Sequence, residues 1–295
     1  MKKQLLTLFG AALLFAACSS DSDDIAEVKN SKPVFTAQTE IETRTSLGEG
    51  NNILWSEGDQ VTVFLKNSAS QRYNVTEGAG TNKAKLTPDV LGEAGVSDWM
   101  HNVAIYPYRG GEWVSPHTIT MSGNNYVIGE VDFYTNQRYV EGRNSFGEKF
   151  MPMVAVSENE NLNFKNVGAV LKLNIKAGHN TDYQRYDETI KEIKISGADI
   201  SGVADVTVDE NGNSTVAMTS NVNHHVTLAP QNDFIMLSRE TAKSFYVVIP
   251  PTEFKNGITF EIKDKDGRIM TKTTKPITVK RNQLISLPEF ELLTY

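Results

Sequence analysis

The sequence has almost no cysteine: one in 295 residues, at position 18. A single thiol excludes an internal disulfide, so packing and hydrogen bonds must hold the fold and the thiol must serve elsewhere. The chain also lacks an apolar run long enough to anchor it. Residues 5–17 are apolar apart from Thr7, too short to span about 30 Å of hydrocarbon. Positive charge is scarce as well. Lys and Arg number 29 against 36 Asp and Glu, for a net −7, which becomes −9 if Lys2 and Lys3 are removed with a leader. That balance excludes the basic face that nucleic acid or an anionic membrane surface requires. No Gly-x-Ser-x-Gly, P-loop, His-Glu-x-x-His or dinucleotide fingerprint occurs, so no enzymatic activity and no cofactor are expected. His224 and His225 are adjacent, and on a strand their rings would point to opposite faces, a poor metal pair. Asp264-x-Asp266-Gly267 lacks the later glutamate of a calcium loop and reads as a hairpin turn. Acid pairs for glycoside hydrolysis leave no local signature, and nothing positively suggests them.

What is present is alternation. Val61, Val63 and Leu65 alternate with Thr62, Phe64 and Lys66, and Ala169, Leu171, Leu173 and Ile175 with Val170, Lys172 and Asn174. Ile193 and Ile195 flank Lys194; Phe245, Val247 and Ile249 run beside Tyr246 and Val248; Ile258, Phe260 and Ile262 alternate with Thr259 and Glu261. A period of two means half-buried strands with one face in a core. Asn211-Gly212 and Asp266-Gly267 tolerate positive φ and close tight hairpins. They predict pairing of residues 203–209 with 214–218 and of 258–263 with 269–274. Helical patterning is absent except for a short candidate at residues 90–100, weakened by Gly92 and Gly95. The expectation is an all-β protein of two tandem β-sandwich domains, residues 33–155 and 156–295, split in the polar stretch Ser157-Glu158-Asn159-Glu160-Asn161. Trp55 is expected to pack on an apolar floor, Gly58-Asp59 to turn the chain into the next strand, and Tyr106-Pro107-Tyr108 to be core and turn.

The N-terminus carries an address. Met1-Lys2-Lys3, the apolar run and Ala16-Ala17-Cys18 resemble a lipoprotein signal peptide, residues 1–17, ending in a lipobox; the departure is Phe15, where Leu is usual. Lipidation at Cys18 would supply two or three acyl chains, each methylene stabilising membrane insertion by about 0.8 kcal/mol. Residues 18–32 open with Ser19-Ser20-Asp21-Ser22-Asp23-Asp24, a solvated acidic tether. That run also resembles the acidic signal that sends lipoproteins of Bacteroides-like bacteria to the outer face of the outer membrane.

A wider resemblance rests on several stretches in order: Phe35-Thr36-Ala37, Thr43-Arg44-Thr45-Ser46, Ile53-Leu54-Trp55-Ser56-Glu57-Gly58-Asp59, Ala104-Ile105-Tyr106-Pro107-Tyr108, Met151-Pro152-Met153, Phe164-Lys165-Asn166-Val167-Gly168-Ala169, Tyr246-Val247-Val248-Ile249-Pro250-Pro251 and Lys280-Arg281-Asn282-Gln283-Leu284. Together with the leader they resemble the fimbrillin-like, or type V pilin, lipoproteins (Mfa-like) of Bacteroides-type bacteria. The resemblance implies two transthyretin-like sandwiches in series and a structural or adhesive subunit of a cell-surface fimbrium. It implies cleavage by a trypsin-like protease between Arg44 and Thr45, removing an N-terminal strand, residues 33–41, with Val34 and Ile41 among its apolar positions. Its partners would be other fimbrial subunits, joined by strand exchange. The donor strand would be residues 284–293, with Leu284, Leu287, Phe290 and Leu292 as anchors; ten extended residues reach about 33 Å. The alternatives are that Arg44 is an ordinary exposed arginine, that the last strand belongs to its own sheet, and that the protein is a non-polymerising lipoprotein binding a glycan or host protein through exposed aromatics such as Trp99 or Trp113.

Overall fold

The computed structural model describes residues 32–40, 53–66, 70–89, 99–141 and 146–295. Cys18, Ile41, Arg44, Thr45, the leader, nearly all of the tether and residues 90–98 of the helix candidate lie outside them. Among the described residues every regular element is a strand. The first are β1 (Phe35–Thr39), β2 (Gln60–Phe64), β3 (Ser70–Glu77), β4 (Lys83–Pro88) and β5 (Asn102–Tyr106). Then come β6 (Thr118–Ser122), β7 (Asn125–Phe133), β8 (Asn136–Tyr139), β9 (Met153–Ser157) and β10 (Asn161–Asn166). The middle holds β11 (Ala169–Asn180), β12 (Arg185–Asp187), β13 (Thr189–Ile190), β14 (Glu192–Val208), β15 (Ser214–Pro230), β16 (Ile235–Met236) and β17 (Lys243–Ile249). The chain finishes with β18 (Thr252–Phe254), β19 (Thr259–Lys263), β20 (Ile269–Thr273), β21 (Ile277–Val279), β22 (Leu284–Ser286) and β23 (Phe290–Leu292).

Seven strands close a barrel in the order β1-β10-β9-β5-β2-β3-β4. Its interior holds Val61, Val63 and Leu65, the alternating set expected from sequence, together with Tyr73, Leu86, Ala104 and Phe164, all buried around Trp55. Trp55 meets Tyr106 and Phe164 edge-on at 5.5 and 5.2 Å. The Gly58 turn has φ +80° and places Asp59 so that its carboxylate accepts from the Ser56 N–H at 2.7 Å and the Tyr106 hydroxyl at 2.9 Å. Burial pushes this carboxyl up from its ordinary value despite those two bonds. The boundary expected between residues 155 and 156 falls inside β9, and β9 pairs with β10 within the barrel. Sheet pairing therefore carries the first layer past that point, to Asn166.

Two larger sheets, with the two-stranded pairs β13-β16 and β18-β21, complete the described body. β12, β11 and β17 form one, with β22 and β23 against β11; β20-β19-β14-β15-β8 form the other, with β7 against β14 and β6 against β7. Their shared core holds Leu171, Leu173, Ile175, Ile193, Phe245, Val247, Phe260 and Ile262. Val170, Tyr246 and Val248, on the opposite faces of β11 and β17, enter the barrel core instead. The near-continuous apolar run of β17 is thus explained by burial on both faces, which alternation alone cannot report. The Gln137 side chain completes the β17 edge, accepting from the Val248 N–H at 2.9 Å and donating to its carbonyl at 2.6 Å. Both expected hairpins form, with Gly212 at φ +75° and Gly267 at φ +85°.

Candidate functional site

The residues singled out from sequence concern the two ends of the chain. β1 forms because Phe35, Ala37 and Thr39 alternate with Thr36 and Gln38, and the first three are buried. Val34, an apolar position of the expected strand, lies just before β1 and is 46% exposed. β1 is flanked on both sides, antiparallel to β4 and parallel to β10. Phe35 stands edge-on to Tyr73 at 5.2 Å, and the Thr39 hydroxyl donates to the Ile53 carbonyl at 2.8 Å. Just past the strand, the Glu40 carboxylate accepts from the Asn166 N–H at 2.8 Å and from Arg281 at 2.9 Å. The N-terminal strand is thereby tied to the turn that launches the C-terminal segment. Arg44 and Thr45 follow four and five residues later, beyond the described stretch.

The C-terminal segment is docked in its own sheet. It is not one ten-residue strand. β22 and β23 both run parallel to β11, separated by Pro288, and the register slips by one residue between Lys172↔Ser286 and Ile175↔Phe290. Proline cannot donate to a ladder, so pairing breaks there. The four candidate anchors split between cores: Leu284 packs on the barrel core, while Leu287, Phe290 and Leu292 pack on the second core. Leu292 is fully buried and Phe290 nearly so; Leu284 and Leu287 are half-buried.

A buried polar knot fixes the end of this segment. Thr294 is inaccessible to solvent. Its N–H donates to the Asp187 carboxylate at 2.8 Å, and its carbonyl accepts from Asn180 at 3.0 Å and Arg185 at 2.7 Å. Its hydroxyl donates to Asp264 at 3.3 Å. Arg185 also bonds Asp187 at 2.9 Å. Burial alone would raise the Asp187 carboxyl, but the Thr294 N–H and the Arg185 guanidinium together hold it below the usual carboxylate range. Tyr295 then exchanges backbone bonds with Ile269 on β20. Sequence reasoning missed this knot. The one local signal was Asp264-x-Asp266-Gly267, whose Asp264 carboxylate does accept the Asp266 and Arg268 N–H groups as a turn residue does.

The two exposed-aromatic candidates differ. Trp99 is half-buried and packs edge-on against Tyr126 at 6.1 Å. Trp113 is 90% exposed. The loop that carries it is braced by Arg109, which donates to Glu130 at 2.7 Å and Asp132 at 2.8 Å, and by His117, buried with its ring nitrogen 3.0 Å from the Pro107 carbonyl. His224 sits on the surface beside Asp199, and His225 is half-buried. Among the described residues no group of three or more His, Cys, Asp and Glu is placed to hold a metal.

No family model and no curated protein matches the chain. Solved structures do. A putative cell adhesion protein from Bacteroides uniformis aligns at a TM-score of 0.50 and 16% identity, over 88% of this chain and 93% of that one. Another, from Bacteroides ovatus, aligns at 0.50 and 10% identity, over 88% and 92%. The tip fimbrial protein Mfa3 from Porphyromonas gingivalis matches over 86% and 95% at 11% identity, with a TM-score of 0.33. The first two show a shared fold along nearly the whole described body.

Proposed function

We propose that this protein is a subunit of a cell-surface fimbrium, lipidated at Cys18, exported to the outer membrane, and assembled when cleavage after Arg44 removes β1. Tandem transthyretin-like units would be its scaffold, a trypsin-like enzyme its processing protease and other fimbrial subunits its partners. The observation that carries the reading is the place of β1. It is the N-terminal strand of the described body, it follows the tether and precedes Arg44, and it alone joins β4 to β10. Its loss would leave two unpaired edges and an apolar slot where Phe35 and Ala37 had been, a site for an incoming strand with alternating apolar side chains. Fold likeness to cell adhesion proteins and the motif order in the sequence support the same reading.

The C-terminal segment could serve as a donor only after the Thr294 knot opens. Loss of β1 alone would make the chain an acceptor, with its C-terminal segment still docked on β11. A second reading, a non-polymerising surface protein that binds a glycan or host protein, is favoured by the exposed and braced Trp113. Treating the full chain with a trypsin-like protease separates the two. The fimbrial reading expects a new N-terminus at Thr45 and ladders that resist SDS without heating, both absent from Arg44→Ala. A cut chain that stays monomeric would overturn it in favour of the second reading.

A further inference from the structure

Sheet edges in natural proteins are guarded by charge, proline or cover, because unpaired N–H and C=O groups recruit other strands. β15 is weakly guarded. Residues 214–230 contain no Asp, Glu, Lys or Arg, in a chain that is 22% charged, and their first proline is Pro230. β14 covers one side of β15, and β8 covers the other only from Thr227 to Pro230. Among the described residues, no strand pairs with the outer edge of residues 214–220. Beyond them the strand bends, with Asn221 at φ +50° and register shifts opposite Ser201 and Val203. The open, straight portion is Ser214-Thr215-Val216-Ala217-Met218-Thr219-Ser220.

That heptapeptide reads nearly the same in both directions about Ala217. An antiparallel strand related by a two-fold axis at Ala217 would set Ser214 against Ser220, Thr215 against Thr219, and Val216 against Met218. Side chains alternate as such a pairing needs. Val216 and Met218 are half-buried toward the core between this sheet and the barrel, while Thr215, Ala217 and Thr219 are exposed. Thr–Thr and apolar cross-strand pairs are favourable, and no like charges face each other. The nearest acid on the adjoining strand, Asp205, pairs with Ala217. Its symmetry mate would stand three strand spacings away, about 14 Å, beyond the roughly 8–10 Å screening length.

We infer that β15 is an interface for a second copy of this chain, paired edge to edge about a two-fold axis through Ala217. Such an isologous contact closes at two. It is a lateral dimer, independent of β1 removal and distinct from a head-to-tail fibre, so its failure and that of the strand-exchange reading are separately visible.

The test uses the full chain with Cys18→Ser, so that an introduced cysteine is the only thiol. Ala217→Cys should give, under mild oxidation, a non-reducible-by-heat but thiol-reversible band at twice the monomer mass and no higher ladder, because residue 217 meets its own image. Thr120→Cys, on the exposed strand β6 at the opposite edge, should remain monomeric. Adding Thr215→Lys and Thr219→Lys should abolish the Ala217→Cys dimer. Mixing that chain with one carrying Cys18→Ser, Ala217→Cys, Thr215→Glu and Thr219→Glu should restore the disulfide dimer, which excludes misfolding as the cause of the loss. Absence of the dimer, an equal yield from Thr120→Cys, or indifference to the lysines would each overturn the inference.

Discussion

Asp187→Asn tests how firmly the C-terminal segment is held. The Asp187 carboxylate is 1% exposed, and its side chain receives the Thr294 N–H and the Arg185 guanidinium. An amide of the same shape can accept only weakly and cannot compensate the cation. Hydrogen bonds to a charged group contribute about 1.5–3 kcal/mol each. Arg185 is 22% exposed and keeps part of its hydration, so the pair is worth less than a fully buried one. A total cost of about 2–4 kcal/mol is expected. Because the knot lies at the chain end, the loss should appear first as local opening. Hydrogen exchange of the amides of residues 290–295 should accelerate, while those of the barrel strands stay protected. The pH dependence follows the sign of the shift. The folded carboxyl lies below its unfolded value of 3.8, so its stabilisation is complete above that value and is lost as pH falls through the lower, folded one. Asp187→Asn should remove this component and flatten the acid limb of C-terminal exchange. Unchanged protection of residues 290–295 would refute the assignment of the knot as the lock.

Phe35→Ala removes a fully buried ring that packs on Tyr73; a loss of about 3–5 kcal/mol in denaturant unfolding is expected, and a much smaller loss would mean that β1 is not integral to the barrel. Gly257 has φ +83°, and an added Cβ would lie 2.0 Å from the Thr274 carbonyl oxygen, so Gly257→Ala should lower the melting temperature by several degrees, measured by calorimetry. Arg44→Ala should block protease-induced ladders without changing the melting temperature of the uncut chain. Arg281→Met should loosen the turn before β22 and speed exchange at Gln283 and Leu284, because it removes the bond to Glu40; unchanged exchange there would show that this tie between the chain ends is not structural.

Much of the fold was legible because strand periodicity is local. Ala169, Leu171, Leu173 and Ile175 share a face whatever lies opposite, and Asn211-Gly212 and Asp266-Gly267 close their hairpins with residues at hand. Trp55 as a core residue and Asp264 as a turn residue were equally readable. Alternation does not say which strands pair, or how many faces are covered. Nothing local told that β1 pairs in parallel with β10, some 125 residues away, that β7 joins β14, or that Val248 leaves its neighbours' core for another. Nor does alternation say which way Val34 faces: at a strand end, register is set by the partner, and Val34 is exposed.

The sequence alone determined that the body is all-β, where two tight hairpin turns fall, and which faces of β2, β11, β14 and β19 are apolar. Those properties depend on side-chain spacing over a few residues. Only the tertiary structure decided that β1 closes a barrel, that β23 is locked at home by Asn180, Arg185, Asp187 and Asp264, and that among the described residues no strand pairs with the outer edge of β15 over residues 214–220. Each of these depends on groups brought together across tens to hundreds of residues, where burial and hydrogen-bond geometry rather than local pattern select the partner.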